Sequence, residues 1–307
     1  MHPPPPGATA RPAAVMVVYR RQDQVEAALR QLSGWLPLVV VVDNGPQTST
    51  GLQQLCKTLG AVYLHGANAG GLAGAYNLAQ RHLLAMPLPP PTVLFLDEDS
   101  DIGTLPAFLA DPDTRHILAQ PDTAAISPAY RDRATGLRGR YMWLRRFRLG
   151  FNPREFEGVR EVAFVINSMS VWRAEALQRI GPFNEGLAID HVDTEYCLRA
   201  RACGLHVHVH GSHEFPHAIG ERRRYRFLGM EVQSGGHGPA RRHLIGRNTM
   251  WLARQWLWRE PAFAALCLLR LSYEAIGIAM VEDQAGAKLW ALLRGAASGL
   301  TASLRPK

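Results

Sequence analysis

Short apolar runs alternate with amphipathic segments along the first hundred residues of the chain. The runs predict buried strands over residues 15–19, 38–42, 61–64 and 93–96. Apolar residues at helical spacing predict helices over residues 23–32, 52–59 and 68 to about 84. This alternation of strands and helices predicts an α/β domain with a largely parallel sheet.

The pattern changes towards the end of the chain. A strand is predicted over 162–166, helices over 173–180 and 191–203, and a strand over 205–210. From about residue 243 onward the apolar spacing is helical. We therefore predict a flexible proline-rich leader (1–13), an α/β domain (14–240) and a helical C-terminal extension (241–307).

A cluster of acids follows the apolar run at residues 93–96 directly. Strand alternation turns Asp97 and Asp99 to the same side and Glu98 to the other. Ligands bind at the carboxyl edge of open α/β sheets, and paired carboxylates there suit Mg²⁺ or Mn²⁺. The alternative is a solvated acidic turn, with Ser100 or Asp101 as the N-cap of a following helix. This segment alone leaves both interpretations open.

The glycine-rich segment 68–74 lacks the spacing of a dinucleotide fingerprint and carries no Gly-Lys-Ser/Thr sequence. A Rossmann cofactor site and a P-loop are therefore not predicted. The small residues permit close approach of a ligand to the backbone, or equally well tight packing of a helix on the sheet.

A second group of acids begins the helix predicted over 191–203. Asp190 and Asp193 share one face, whereas Glu195 pairs with Arg199 at i,i+4. Either these acids complement the helix dipole, or one of them is a general base. Further along, the imidazole of His217 can add a ligand to a metal held by carboxylates.

Composition and charge narrow the classes of function. Of the 307 residues, 47% are hydrophobic and 20% charged, which excludes wholesale disorder. The four cysteines show no metal or disulfide spacing, which favours a reducing, cytoplasmic setting. A net charge of +8, concentrated at 138–148, 222–226 and Arg241–Arg242, indicates an anionic partner. No nucleic-acid-binding motif accompanies this charge, so no nucleic acid is expected.

The tail combines basic residues with Trp251, Trp256 and Trp258. This composition suits contact with an anionic membrane surface, or packing on the α/β domain or on a second copy of the chain. No transmembrane helix is expected, because Arg270 and Glu274 interrupt the best candidate, residues 261–281.

Taken in chain order, these motifs resemble the family 2 glycosyltransferases, in particular their bacterial rhamnosyltransferase-like branch. The matching segments are residues 15–19, 42–44, 68–77, 96–100, 167–170, 180–185, 190–199 and 217–221. The resemblance implies a GT-A fold, a nucleotide-diphosphate sugar donor and Mg²⁺ or Mn²⁺. It further implies an inverting transfer to a saccharide or lipid-linked acceptor, in synthesis of surface polysaccharide or glycolipid.

The resemblance also implies roles for individual residues. Asp43 would contact the nucleobase, Asp97 the ribose side, and Asp99 the metal, with His217 near the metal and diphosphate. Asp193 would be the base that deprotonates the acceptor hydroxyl. The remaining donor-side residues are Asn44, Asn68, Gly71 and Asn167, and the acceptor-side or alternative bases are Asp190 and Glu195.

Two motifs of the branch, Asp97-Glu98-Asp99-Ser100 and Ile189-Asp190-His191-Val192-Asp193, imply dTDP-L-rhamnose as the donor. Residues 19–21 depart from the family's opening pattern, which leaves the nucleotide contacts of the first strand open. Another nucleotide-sugar donor and a non-catalytic nucleotide-sugar or saccharide-binding protein remain as alternatives.

Overall fold

The computed structural model describes residues 12–19, 25–133, 135–217, 223–227 and 230–304, with the backbone alone for 223–227 and 230–234. The predicted leader lies almost wholly outside these residues, as do the side chains of the basic cluster at 222–226.

An eight-stranded sheet forms the centre of the molecule, in the order β3-β2-β1-β4-β9-β5-β10-β8. The neighbours among β1 to β4 and the pair β5–β10 are parallel, whereas β9 and β8 run antiparallel to their neighbours. The strands are β1 Ala13–Val18, β2 Val39–Asp43, β3 Val62–His65, β4 Thr92–Asp97, β5 Thr123–Asp132, β6 Met142–Arg145, β7 Arg148–Phe151, β8 Val159–Val162, β9 Ser170–Arg173, β10 His206–His217, β11 Arg223–Phe227 and β12 Met230–Ser234. The predicted mixed, largely parallel sheet is thus confirmed.

Helices cover both faces of this sheet. They are α1 Glu26–Trp35, α2 Thr50–Leu59, α3 Gly71–Leu84, α4 Leu105–Ala110, α5 Pro112–Ala119, α6 Ala174–Ile180, α7 Val192–Ala202, α8 Pro239–Trp256, α9 Pro261–Val281 and α10 Ala285–Thr301. Alternate residues of β1 enter separate cores: Ala13, Val15 and Val17 pack towards α3, α6 and α7, and Ala14, Met16 and Val18 towards α1, α2 and α4. Burial on both faces explains why the strand reads as a continuous apolar run.

The strand predicted over 162–166 is wrong in its position. Strand β8 ends at Val162, and residues 163–166 belong to no strand, although the Ala163 amide donates a hydrogen bond to the carbonyl of Met142 at 2.6 Å. Ala163 and Val165 are buried all the same, and the carbonyl of Val165 faces the thiol of Cys197 on α7. Their apolar character thus reflects packing beneath a helix, a pattern that short apolar runs share with strands.

Helices α8 and α10 cross at very close range. A Cβ atom at Gly246 would lie 2.2 Å from the carbonyl oxygen of Leu292, and one at Gly295 would lie 2.0 Å from that of His243. Only glycine fits at such contacts. The predicted extension starts inside the first turn of α8, which begins at Pro239.

The segment after α10 returns to the α/β domain. Asn184 Nδ2 donates a hydrogen bond to the carbonyl of Leu304 at 2.6 Å, and Arg254 Nη2 donates one to that of Ala302, also at 2.6 Å. The chain near residue 304 therefore lies against the connection between α6 and α7.

Among the described residues, α9 is the one helix whose length and composition would allow it to cross a membrane, with 22% of its most apolar stretch buried. This differs from the expectation that Arg270 and Glu274 disqualify it. Glu274 forms an ion pair with Arg242, which is fully buried on α8 and also pairs with Glu282. The charge of Glu274 is thus neutralised at a contact between two helices.

Candidate active site

The two acids predicted at strand ends lie at the same edge of the sheet. Asp43 ends β2 beside Val18, and Asp97 ends β4 beside Val17, so the two flank the carboxyl end of β1. Ligands bind at this edge in open α/β sheets.

Serine side chains shape the turn after Asp97. Ser100 Oγ accepts a hydrogen bond from the Asp97 amide at 2.9 Å and lies 2.8 Å from Ser168 Oγ. Glu98 turns away and accepts a hydrogen bond from the Tyr19 amide at 2.8 Å. The acidic segment is therefore held against Ser168.

The helix-cap interpretation of this segment is wrong. Helix α4 begins at Leu105 and follows Thr104, not Ser100 or Asp101. Asp101 Oδ1 instead accepts a hydrogen bond from the Gly103 amide at 3.0 Å, within the loop before the helix.

Negative charge accumulates around Asp97. Burial is the main cause that raises the pKa of Asp97 to about 7, and the charges of Asp193, Asp99 and Glu98 raise it further. A hydrogen bond with Ser168 acts in the opposite direction. Such a cluster favours a positively charged ligand.

Asp99 lies two residues after the end of β4, and its charge acts on His217, which ends β10. Burial lowers the pKa of His217, while the negative charge of Asp99 partly raises it. Arg133 Nη2 donates a hydrogen bond to the backbone carbonyl of Asp99 at 3.3 Å. A carboxylate and a neutral imidazole thus share one side of the site.

Asp193 lies in the first turn of α7. Burial raises its pKa to about 6, and a hydrogen bond with the Asn167 backbone opposes this shift. The residue retains some exposure, yet its Oδ1 atom is enclosed without a hydrogen-bond partner in the described part of the chain. The side-chain amide of Asn167 is likewise buried, with neither atom bonded. Buried polar atoms without partners indicate a missing polar ligand.

The two alternative bases are already engaged. Asp190 receives two hydrogen bonds from Arg241, at 3.1 and 3.2 Å. Glu195 is buried and accepts a hydrogen bond from Arg199 Nε at 2.8 Å, as the i,i+4 spacing predicted. Glu195 Oε2 is, like Asp193 Oδ1, buried without a partner among the described residues, so the ion pair with Arg199 is what distinguishes Glu195 from Asp193.

On the donor side, Asp43 is fully buried. Its carboxylate accepts hydrogen bonds from the amides of Gly45 (3.1 Å) and Ser49 (2.9 Å) and from the hydroxyl of Tyr63 (2.7 Å). These bonds fix the turn after β2. We therefore expect Asp43 to influence nucleobase binding by holding this turn in place.

The other predicted donor-side residues meet next to that turn. Asn44 Nδ2 donates hydrogen bonds to Asn68 Oδ1 at 3.3 Å and to the carbonyl of Gly71 at 3.2 Å. Gly71 has a φ of +62°, and a Cβ there would lie 2.4 Å from the carbonyl oxygen of Ala188. The glycine is thus required for close packing on the chain that leads to Asp193.

Two further groups of charged or histidine side chains lie elsewhere. His210 and His213 bind the carboxylate of Asp111 at 3.2 and 2.9 Å, away from the acidic cluster. Arg138, part of a predicted basic cluster, is buried and pairs with Glu214. Part of the excess positive charge is therefore used in ion pairs within the fold.

An apolar cavity of about 730 Å³ lies at the opposite edge of the sheet. Pro12 and Pro91, which precede β1 and β4, line it together with Trp35, Leu105 and Val171. The acids lie at the other ends of these strands, so this cavity is separate from the candidate site.

Sequence reasoning assigned no role to Ser168 or Asn248, and it gave Arg241 to a basic cluster for an anionic partner and not to Asp190. Ser168 lies within the segment 167–170, which had already been singled out, so a signal for it existed. Arg241 and Asn248 contact the 187–190 segment from more than fifty residues away, and no local pattern indicates that contact.

Comparisons with known proteins agree with the fold described above. No family model matches the sequence. The chain is 26% identical over 253 residues to a curated protein of Shigella flexneri named dTDP-rhamnosyl transferase RfbF, and the match covers 79% of each. Among solved structures it is similar to the crystal structure of GalNAc-T7 with UDP, GalNAc and Mn²⁺, with a TM-score of 0.51 at 12% identity. That match covers 78% of this chain but 48% of the other.

The structural similarity concerns the fold, and the sequence similarity extends over most of the α/β domain and beyond it. These findings confirm the resemblance predicted from the motifs: the chain has the GT-A fold and is similar to the rhamnosyltransferase-like branch of the family 2 glycosyltransferases.

Proposed function

We propose that this chain is an inverting, metal-dependent glycosyltransferase that transfers L-rhamnose from dTDP-L-rhamnose to a saccharide or lipid-linked acceptor. The observation that carries the proposal is the enclosed, unpartnered carboxylate oxygen of Asp193 beside the acidic cluster around Asp97. The similarity to a protein named dTDP-rhamnosyl transferase supports the choice of donor.

The residues at the end of β4 fit a divalent cation. Asp99 offers hard carboxylate oxygens, His217 offers a neutral nitrogen, and the surrounding acids supply negative charge with little compensation. We assign Asp99 and His217 as the residues that would hold Mg²⁺ or Mn²⁺. When bound, such a cation stabilises the negative charge that develops on the departing nucleotide diphosphate.

Side chains of the protein carry out the proton transfer and orient the sugar. The carboxylate of Asp193 takes the proton of the acceptor hydroxyl as that oxygen attacks the anomeric carbon of the sugar. The bond between sugar and diphosphate breaks in the same displacement, which inverts the anomeric centre and needs no covalent intermediate. The amide of Asn167, buried beside Asp193, is placed to bind and orient hydroxyl groups of the sugar.

A panel of nucleotide-sugar donors tests this function. We expect release of nucleotide diphosphate with dTDP-L-rhamnose and a saccharide acceptor, stimulated by Mn²⁺ or Mg²⁺ and abolished by EDTA. Release from a different donor alone would overturn the assignment of rhamnose. Donor binding without release would indicate the non-catalytic alternative.

The rate should depend on pH through Asp193. Its pKa of about 6 lies above the ordinary value because burial disfavours the charged form, and only the carboxylate accepts a proton. We expect kcat/KM to rise as the pH increases through about 6 and to level off above it. Initial rates between pH 4.5 and 8.5, at about 0.5-unit steps, with unfolding checked at each pH, measure this limb. A midpoint near pH 4 would contradict the role of a buried Asp193.

We propose further that the protein is cytoplasmic and contacts the inner face of an anionic membrane through α9 and α10. Large apolar side chains on these helices are about half exposed or more: Leu268, Leu269, Tyr273, Ile276, Trp290, Leu293 and Leu300. Exposed Arg259, Arg270 and Arg294 lie in the same part of the chain. Apolar side chains bordered by arginine suit anionic headgroups and would bring the site close to a lipid-linked acceptor.

Vesicle flotation tests the membrane contact with a matched pair of variants. We expect wild-type chain to float with phosphatidylglycerol vesicles and L269E to lose about 90% of this binding, because a charge replaces an exposed apolar group on α9. L88E changes a similarly exposed leucine between α3 and β4 and should float like wild type. If L269E instead converts a dimer to a monomer in light scattering, without vesicle binding by wild type, the surface is an interface between copies.

A further inference from the structure

The connection between α6 and α7 has an unusual backbone conformation. Ala188, Asp190 and His191 have φ values of 59°, 58° and 65°, in the left-handed region that non-glycine residues rarely adopt. His191 immediately precedes α7, and its side chain makes no capping bond to that helix. The conformation that delivers Asp193 to the site is therefore imposed from outside the segment.

Helix α8 supplies the contacts that hold this conformation. Asn248 is fully buried, and its Nδ2 atom donates hydrogen bonds to the carbonyls of Leu187 (3.0 Å), Ile189 (2.8 Å) and Asp190 (3.3 Å). One side-chain amide thus binds three carbonyl groups within four consecutive residues. The side chain of Asn248 is the common centre of the segment.

Neighbouring residues of α8 reinforce the contact. Arg247 donates hydrogen bonds to Asn248 Oδ1 at 3.0 Å and to the carbonyl of Gly186 at 2.7 Å. Thr249 Oγ1 lies 2.8 Å from His191 Nε2. The orientation of the Asn248 amide is therefore fixed, with its donor side towards the segment.

The same segment also supports the donor side of the site. The amide of Leu72, near the beginning of α3, donates a hydrogen bond to the carbonyl of Ala188 at 2.9 Å. Residues 187–190 therefore lie between the helix that carries Asp193 and the helix that begins at the glycine-rich segment. A shift of this segment would displace the start of α7 and weaken the hydrogen bond from Leu72.

Resting on the function proposed above, we propose that Asn248 is a positioning residue, which sets the placement of Asp193 relative to the bound donor by holding the carbonyls of residues 187–190. Asn248 acts through the backbone and touches neither substrate. Its loss should reduce kcat more than it affects binding, since a displacement of about 1 Å in a reacting group costs about 10²-fold in rate.

The test compares N248A with R254Q in the full-length chain. Both residues lie on α8, but Arg254 donates its hydrogen bonds to the carbonyls of Leu300 and Ala302 and not to the 187–190 segment. We expect N248A to lower kcat by about 30- to 100-fold with the donor KM within about threefold of wild type. Amide hydrogen exchange should quicken over residues 187–192 and at Leu72. R254Q should leave both readouts near wild type.

A second variant covers the case in which N248A does not fold. R247Q removes the bond that orients the Asn248 amide and the bond to Gly186, and we expect the same changes at about a fifth of the magnitude. Unchanged exchange in the 187–192 segment, an unchanged kcat despite faster exchange, or an equal loss of kcat in R254Q would overturn the proposal. If wild type transfers no sugar from any donor, the proposed function fails, and hydrogen exchange still decides whether Asn248 holds the segment.

Discussion

Replacing Asp193 by Asn should lower kcat by about 10³-fold while the donor KM stays within about threefold of wild type. The amide keeps the size and the surroundings of the side chain but accepts no proton from the acceptor hydroxyl. Because this variant leaves Asp99 and His217 intact, which we assign to the metal and diphosphate, donor binding is expected to persist. Steady-state kinetics with varied donor and acceptor, together with calorimetric donor binding, separate the two effects.

D190N and E195Q are the matched controls for this variant. Each removes a charge near the start of α7, but Asp190 pairs with Arg241 and Glu195 with Arg199. We expect a loss of kcat below about tenfold for D190N and a loss mainly of stability for E195Q. If D190N lost as much activity as D193N while remaining folded, Asp190 would be the base.

Asp99→Ala is expected to reduce transfer by about 10³-fold or more and to abolish stimulation by Mn²⁺. The substitution removes the carboxylate that we assign to the metal at the end of β4. Titration of Mn²⁺ by electron paramagnetic resonance, in the presence of dTDP, measures the loss directly. D101N removes a neighbouring acid that bonds only to the Gly103 amide among the contacts described, and should bind Mn²⁺ as wild type does.

Two results would contradict the metal assignment. One is a wild-type enzyme whose activity is indifferent to EDTA. The other is a D99A variant that keeps Mn²⁺-stimulated transfer. A variant that loses activity but binds Mn²⁺ normally would show that Asp99 acts on the donor by another route.

The sequence predicted the architecture because the strands of this sheet are buried on both faces. Continuous apolar runs, separated by amphipathic helices, placed β1 to β4 to within a residue or two and turned Asp43 and Asp97 to one edge. The same reasoning failed at residues 163–166, where helix packing produces an apolar run without a strand. Local pattern alone does not separate these two causes.

The sequence could not show which of the acids form hydrogen bonds or ion pairs within the fold. Asp43, Asp190 and Asp193 look equivalent as isolated carboxylates. In the folded chain, however, Asp43 accepts hydrogen bonds from the turn after β2, and Asp190 pairs with Arg241. Of these three, Asp193 alone keeps a buried oxygen without a partner among the described residues, a property that it shares with Glu195 on the same helix. These differences arise from contacts across the chain, such as the fifty-one positions between Asp190 and Arg241.

The return of the chain near residue 304 to the connection before α7 has a practical consequence for handling the protein. The carbonyl of Leu304 accepts a hydrogen bond from Asn184, and Leu304 Cβ lies 3.2 Å from where a Cβ of Gly186 would stand. An affinity tag or fusion partner joined directly after this point would press on the backbone that leads to Asp193. A long flexible spacer there keeps such a fusion clear of the reaction centre.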